Sequence, residues 1–211
     1  MAAPAKSPPR TLVIACGALA REIAALRRAN AWESLEVRCL PAELHNRPER
    51  IAPAVREAIA ASRGHYAQTF VAYGDCGTGG QLDRVLQEEG IERLPGAHCY
   101  EFFATARVFA QLADSEPGTF YLTDFLLRHF ERLVVRPLGL DRHPELTQEY
   151  FRNYRKLVYL SQAPRPEATE QARRIAERFG FQFEHRFTGY GELGTRLAAL
   201  VESQDTLAWP V

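Results

Sequence analysis

Short apolar segments alternate along the chain with segments whose apolar residues follow a helical spacing. The first apolar segment, T-L-V-I-A-C at residues 11–16, is followed by Leu19, Ile23 and Leu26, which would share one face of a helix. A continuous apolar run of this length is typical of a strand buried in a parallel sheet. Three more pairs of this kind follow before residue 115. Four strand and helix units in succession predict an α/β fold with a mostly parallel sheet.

The segment at about 116–140 interrupts this alternation. It contains P-G-T-F-Y-L-T-D-F-L-L-R-H-F-E-R-L-V-V, which is too long and too helix-like for one more buried strand, so we predict a turn and an inserted helix. Strand and helix patterns return at residue 156. The sequence therefore predicts a single three-layer, Rossmann-like domain over residues 11–211, with helices on both faces of the sheet, a helical insert and a disordered tail at residues 1–10.

Composition excludes several classes of partner. The 211 residues carry 26 basic and 26 acidic side chains, so no overall positive field is expected for binding nucleic acid or an anionic membrane surface. The N-terminal ten residues lack the apolar core of a secretory signal, and no stretch is apolar over the length of a bilayer. We therefore expect a cytoplasmic protein, in which the four cysteines are reduced thiols or metal ligands.

Three cysteines and two histidines follow the ends of predicted strands. Cys16 ends the first strand, Cys76 lies just past the third and Cys99 just past the fourth, while His45 follows the second and His98 directly precedes Cys99. The carboxyl ends of parallel strands lie on one edge of a sheet, where ligands usually bind. Thiolate and imidazole groups are ligands of zinc and iron. We therefore predict a divalent metal site at this edge, with zinc favoured over iron.

The spacing of these cysteines does not match a recognised zinc finger. The chain has no C-x-x-C pair, and unbridged cysteines are often small hydrophobic residues of a core. Cys39 is the weakest candidate, because its side chain could simply face a neighbouring layer. The alternative interpretation is that all four thiols are structural.

Glycines surround Cys76 in V-A-Y-G-D-C-G-T-G-G-Q. A nucleotide phosphate loop would add a lysine, which is missing, and the first strand is followed by a single glycine, so neither NAD nor FAD is expected. A helix starting beside Gly79 and Gly80 could still hold an anion and would favour the Cys76 thiolate. We predict that Gly77, Gly79 and Gly80 let a small-molecule or cofactor ligand approach the backbone. Tyr100 is among the aromatic residues that could form a wall of its pocket. The alternative interpretation is that these glycines only permit a tight turn.

Several motifs together resemble one uncharacterised family. The segments C-G-A-L-A-R-E-I, L-P-A-E-L-H-N-R-P-E-R-I, Y-G-D-C-G-T-G-G, H-C-Y-E-F-F and P-G-T-F-Y-L-T resemble the family called domain of unknown function 1638, over roughly residues 11–201. The resemblance implies that Cys16, Cys76, Cys99 and His45 match recurrent family positions. It implies no activity, although some members are similar to proteins encoded near corrinoid-dependent methyltransferases, so a corrinoid or methyltransferase partner is an expectation by association. Many members have Cys-His-Asp-Cys where this chain has Gly-Ala-His-Cys.

Three functional hypotheses remain open at this stage. The first is a metal-binding protein in which an open coordination position could activate a thiol or water, with a role in corrinoid-linked methyl transfer implied by the family resemblance alone. The second is a non-catalytic module that binds a small ligand or a partner, with the 116–140 insert as its binding wall or as the face of a homo-oligomer. The third is a thiol redox protein that uses Cys76, with Cys16 or Cys99 as its resolving partner. The sequence identifies no substrate and leaves open whether the protein is an enzyme.

Overall fold

The computed structural model of the chain describes residues 10–207, with side chains up to residue 203. Apart from Arg10, the predicted N-terminal tail lies outside the described residues. The chain forms two compact units: the first runs to Cys99 and resumes at Leu193, and the second is Tyr100–Glu192. In the described part of the chain, no helix combines the length and the apolar character needed to cross a membrane.

The first unit contains a four-stranded sheet in which every pairing is parallel. Its strands are β1 (Thr11–Cys16), β2 (Leu35–Leu40), β3 (Gln68–Ala72) and β4 (Glu92–Arg93), in the order β2-β1-β3-β4. Its helices before residue 100 are α1 (Ala20–Ala29), α2 (Ile51–Ala60) and α3 (Gln81–Glu89). Every residue of β1 is buried, as expected for a central strand of a covered parallel sheet.

The strand order places a crevice beside β1. The chain leaves β1 for β2 on one side and then crosses to β3 on the other, so the order reverses between β1 and β3. In open α/β sheets, ligands bind at the carboxyl ends of the strands next to such a reversal. Cys16 is the last residue of β1 and therefore lies at this edge.

The second unit contains a three-stranded parallel sheet in the order β5-β6-β7. The strands are β5 (Thr119–Thr123), β6 (Lys156–Ser161) and β7 (Gln182–Phe187). The helices are α4 (Glu101–Ala104), α5 (Ala106–Ser115), α6 (Asp124–Arg128), α7 (Leu146–Phe151) and α8 (Pro166–Phe179), with a π-helical turn at Glu131–Val135; α9 (Gly191–Leu207) begins here and continues into the first unit.

Both faces of the second sheet are covered by other elements. Along β6, Leu157 and Tyr159 pack in one apolar cluster with Ala172 of α8. Val158 and Leu160 pack in another cluster, with residues of α4 and α5. Alternate residues of a strand point to opposite faces, so this unit has helices on both sides of its sheet.

The predicted three-layer α/β fold class with parallel strands is confirmed, but the strands are divided between two sheets. The interpretation of residues 116–140 as a turn and a helix missed β5, because the apolar run of T-F-Y-L-T continues without a break into α6. The helical segment after Tyr100 is divided at Thr105, whose φ of 67° is incompatible with a right-handed helix. Gly180, with a φ of 72°, ends α8.

Candidate functional site

Two loops of the first unit are joined by backbone hydrogen bonds next to the end of β3. The Asp75 N–H donates to the Gly96 carbonyl at 3.0 Å, and the Cys76 N–H donates to the Ala97 carbonyl at 2.7 Å. These bonds bring the loop that carries Cys99 alongside Cys76. The two sulfur atoms, Cys76 Sγ and Cys99 Sγ, are 3.5 Å apart.

The close approach of these loops depends on Gly74. A Cβ atom added at this position would lie 3.0 Å from the carbonyl carbon of His98 and 3.1 Å from its Cα. Real Cβ atoms rarely come this near to backbone atoms, so a larger residue would force the Cys99 loop away. The glycine before Asp75 therefore contributes to bringing the two thiols together.

The turn after Cys76 uses left-handed backbone at several positions. Cys76 has a φ of 49°, and Gly77, Gly79 and Gly80 have φ values of 84°, 60° and 80°. Only glycine adopts such angles without strain, and a cysteine there is an uncommon conformation that needs support from its surroundings. Gly77 is also close to the His45 segment, since a Cβ added to it would lie 3.3 Å from Cγ of Pro48.

The carboxylate of Asp75 organises this turn. It accepts hydrogen bonds from the Thr78 hydroxyl at 2.6 Å, from the Gly80 N–H at 3.0 Å and from the Gly79 N–H at 3.3 Å. The Thr78 bond is the main reason that the pKa of Asp75 lies below its usual range. The N–H groups of Gly79 and Gly80 are therefore bonded to the carboxylate of Asp75, which takes the place that an external anion would have in such a turn. Ligand binding by these glycines stays a prediction.

The thiols interact with one another and with His45. The pKa of Cys76 falls to about 5, first because of its hydrogen bond with Cys99 and also because of a hydrogen bond with the His45 imidazole. The bond to Cys76 raises the pKa of His45. Hydrogen bonds with Cys16 and Cys76 raise the pKa of Cys99, and the Cys99 bond lowers the pKa of Cys16. These shifts favour ionisation of the Cys76 thiol, protonation of the His45 imidazole and retention of the Cys99 proton.

Tyr73 and Arg93 also belong to this region, although the sequence did not mark either as a ligand. Tyr73 is 1% exposed. Burial raises its pKa most, and the charges of Cys16 and Cys99 and a weak hydrogen bond with the Cys16 thiol add to the rise. Arg93 Nη1 donates to the Leu94 carbonyl at 2.6 Å and holds the start of the Cys99 loop. Tyr73 directly follows β3, and that strand-end position was a usable signal.

The remaining predicted residues lie in three different settings. His98 directly precedes Cys99, and its backbone lies against Gly74. The main causes of the thiol pKa shifts are the other thiols and His45, and His98 is not among them. Tyr100 lies in the second unit, where its ring stacks on Tyr121 at 5.6 Å between centroids. Cys39 is exposed in β2. The structure thus brings together Cys16, Cys76, Cys99 and His45.

The arrangement has part of the geometry of a metal centre. Two thiolates on one tetrahedral zinc ion are about 3.8 Å apart, close to the observed separation of 3.5 Å between Cys76 Sγ and Cys99 Sγ. However, within residues 10–207 no group of three or more His, Cys, Asp or Glu side chains is already placed to hold one ion. The same pair of sulfurs could also close to a disulfide, whose sulfur atoms are about 2.05 Å apart.

One protein-family model matches this chain. The model described as "Protein of unknown function (DUF1638)" matches residues 39–197, well over half of the sequence. The chain belongs to the DUF1638 family. The match includes His45, Cys76 and Cys99, whereas Cys16 precedes it. No curated protein and no solved structure matches the chain.

Proposed function

We propose that this DUF1638 protein binds a divalent metal ion through Cys16, Cys76 and Cys99, with His45 as the fourth ligand. The observation that carries this proposal is the meeting of Cys76 Sγ and Cys99 Sγ at 3.5 Å, with His45 bonded to Cys76 and Cys16 facing Cys99. Three thiolates and one imidazole form a common zinc ligand set, and zinc is favoured over iron. The low pKa of Cys76 supports the proposal, since the thiolate is the binding form.

The complete site forms around the ion. Because no set of three ligands already shares a common centre among residues 10–207, binding requires the Cys16 and His45 side chains to move toward the Cys76 and Cys99 pair. Rotation about side-chain bonds is sufficient for such a change, and metal binding commonly completes a partly formed site. An ion held by the three cysteines alone would keep an open position, where a thiol or water could be activated. Catalysis and a link to corrinoid-dependent methyl transfer stay predictions, the latter from family resemblance only.

Metal titration of single-thiol variants tests this proposal. The protein, purified without an affinity tag and stripped of metal under reducing conditions, should bind one zinc ion, and cobalt(II) should give the absorption of a thiolate complex. Cys76→Ser and Cys99→Ser should each weaken zinc binding at least about tenfold, as expected when a ligand or its positioning is lost. Cys39→Ser removes an exposed thiol of the same chain and should leave binding unchanged. A wild type that takes up no zinc, or an equal loss in Cys39→Ser, would overturn it.

A second candidate function is thiol redox chemistry at the Cys76 and Cys99 pair. Two observations favour it: the sulfurs are 3.5 Å apart with no third metal ligand placed beside them among residues 10–207, and the pKa of Cys76 is lowered to about 5. With hydrogen peroxide as oxidant, the Cys76 thiolate would attack one oxygen, break the O–O bond and form a sulfenic acid, and the other oxygen would leave as water after taking up a proton. The Cys99 thiol would then attack the Cys76 sulfur, releasing the sulfenic oxygen as a second water and forming the disulfide.

Oxidation of the metal-free protein distinguishes the two functions. One equivalent of hydrogen peroxide at neutral pH should produce a Cys76–Cys99 disulfide, identified by peptide mass spectrometry, and thioredoxin-type reductants should reverse it. Rapid, complete and reversible formation in the wild type and in Cys39→Ser supports a redox function. Unchanged free thiols after this treatment would exclude it, while leaving the metal titration to judge the first proposal.

A further inference from the structure

The second sheet has an outer strand, β7, whose far side is open within the described part of the chain. β7 pairs with β6, and no other strand of the described residues pairs with it. Four of its six residues are exposed, namely Gln182, His185, Arg186 and Phe187. Every residue of the other outer strand, β5, is buried or half-buried. An uncovered strand edge is a template for pairing with a further strand.

The open side of β7 presents the backbone groups of every second residue. The Gln182 N–H donates to the Arg155 carbonyl at 2.9 Å, and the Thr188 N–H donates to the Ser161 carbonyl at 3.0 Å, both toward the β6 side. In a parallel pair, alternate residues direct both backbone groups to the same neighbour, so the groups of the odd-numbered residues point outward. β7 contains no proline and follows β6 in one register over six residues, so neither a missing N–H nor a bulge protects this edge.

One face of this edge carries two phenylalanines in different surroundings. Phe183 packs against the apolar cluster of β6 and α8, and the guanidinium carbon of Arg173 lies 4.8 Å from the centre of its ring. Phe187 is four residues further along the strand and points to the same face, but it is 62% exposed. Pairing with a further strand would bury the Phe187 ring.

We propose that β7 pairs antiparallel with β7 of a second copy of the chain, so that the second sheet continues across a two-fold axis. Two-fold symmetry aligns the two strands antiparallel, and each residue faces one that is equally far from the axis. With the axis at His185, Glu184 faces the partner's Arg186, and Phe187 faces the partner's Phe183. The odd-numbered residues then face one another, and their outward N–H and C=O groups form hydrogen-bonded pairs.

The order of charges along β7 selects both the register and the partner. An axis at Glu184 would bring two carboxylates together, and an axis at Arg186 would bring two guanidinium groups together, which is unfavourable in a sheet. Glu184 is already paired with Lys156 and Arg186 of its own chain, so the pairing does not depend on an uncompensated charge. In the dimer, these carboxylates and guanidinium groups alternate both along each strand and across the axis. The strand is therefore complementary to itself, which favours a second copy over an unrelated strand.

Sedimentation of the full chain tests the dimer. The wild type should be dimeric at about 50 μM, since a micromolar dissociation constant leaves most of the chain paired at that concentration. Phe187→Ser should raise the dissociation constant at least about tenfold, because it removes the ring that packs on the partner's Phe183 at both ends of the interface. A monomeric wild type, or a dimer that Phe187→Ser leaves unchanged, would overturn the proposal.

Reversal of single charges tests the register. Arg186→Glu places a carboxylate opposite the partner's Glu184, and Glu184→Arg places a guanidinium opposite the partner's Arg186, so each variant alone should dimerise at least about tenfold more weakly. An equimolar mixture of the two should form a heterodimer, because opposite charges face each other again. The matched controls Arg152→Glu and Glu149→Arg reverse the charges of an exposed ion pair of the same unit and should dimerise as the wild type does. Charge variants that are folded by circular dichroism but do not pair when mixed would overturn the register.

Hydrogen exchange shows what covers the edge. The outward amide hydrogens of β7 should exchange more slowly as the protein concentration rises through the range of dimer formation, because the pairing protects them. Protection of these amides in a chain that sediments as a monomer would assign the edge to another segment of the same chain. That result would overturn the dimer.

Discussion

The two parallel sheets carry different chemistry at their carboxyl ends. In the first unit, Cys16, Cys76 and Cys99 form a cluster of polarisable sulfurs beside the buried hydroxyl of Tyr73. In the second unit, β5 and β6 lead to a network of oxygen and nitrogen groups. There the Asp124 carboxylate accepts from Tyr159 at 2.5 Å and pairs with Arg165, and the Asp124 N–H donates to Gln162 at 2.9 Å. The same strand topology thus supports two unlike sets of side chains.

The two edges differ in the strength of their internal contacts. At the second edge the Asp124 carboxylate has a hydroxyl donor and a guanidinium partner, so this network contributes to stability. Thiols are weak donors and acceptors, so the contacts among the sulfurs of the first edge contribute less to stability. The Asp124 network therefore has a structural role, and the first edge is the one at which we propose ligand binding.

The largest expected effect is on the ionisation of Cys76. In metal-free protein, the thiolate absorbance near 240 nm that is lost in Cys76→Ser should appear with a midpoint near the Cys76 pKa of about 5, well below the ordinary thiol value. His45→Ala should move this midpoint upward, because the imidazolium stabilises the thiolate. Cys39→Ser serves as the control and should retain the acidic transition. A wild-type midpoint at the ordinary thiol value would show that the sulfur cluster does not share charge as described.

The next largest effect concerns the stability of the second unit. Asp124→Ala should lower the free energy of unfolding by about 2–4 kcal/mol, because it leaves Tyr159 and Arg165 without their shared partner. This range lies below that of a fully enclosed pair since the Arg165 side chain is 33% exposed. Glu149→Ala, which removes an exposed carboxylate of the same unit, should cost less than about 0.5 kcal/mol in the same urea titration. Equal costs for the two variants would refute a stabilising network.

The strand ends could be located from the sequence because apolar runs and helical spacing alternate regularly. That regularity is sufficient to predict that Cys16, Cys76 and Cys99 lie on one edge of the sheet. It could not separate His45 from His98, since the choice depends on how two loops approach each other over Gly74. Periodicity describes elements, whereas distances between side chains are determined by the geometry of the turns.

The second edge was largely hidden in the sequence. The strand T-F-Y-L-T runs directly into α6, so its pattern merged with that of a helix and β5 was missed. Without β5, Asp124 has no strand end to mark it, and its partners Tyr159 and Arg165 are more than thirty residues away in sequence. A buried charge is recognised only when its distant partners are known, and no local pattern contains that information.

A matched pair of tyrosine substitutions compares the two edges directly. Tyr159→Phe should cost about 1–3 kcal/mol, because Asp124 loses a hydrogen bond inside the core. Tyr73→Phe should change the stability of metal-free protein by less than about 0.5 kcal/mol or raise it, because the Cys16 thiol beside its hydroxyl is a weak hydrogen-bond partner. Both side chains are at most 1% exposed, so the change in buried volume is the same. Urea unfolding measures both, and a larger cost at Tyr73 would reverse our assignment of roles.

The smallest expected effect comes from an ion pair between the central and an outer strand of the second sheet. Lys156 of β6 pairs with Glu184 of β7, and this pair, aided by Arg186, holds the pKa of Glu184 below its usual range. Lys156→Met should cost about 0.2–1 kcal/mol at neutral pH, as is typical of partly exposed pairs. Because the folded pKa of Glu184 is lowered, its contribution is complete above the unfolded glutamate pKa and is lost as the pH falls through the folded value. The stability difference between wild type and variant should therefore shrink in urea titrations at acidic pH. A difference that instead grows toward low pH would mean that Lys156 stabilises the fold through packing of its aliphatic chain. The charges of Lys156 and Glu184 would then contribute less to stability than the charges around Asp124.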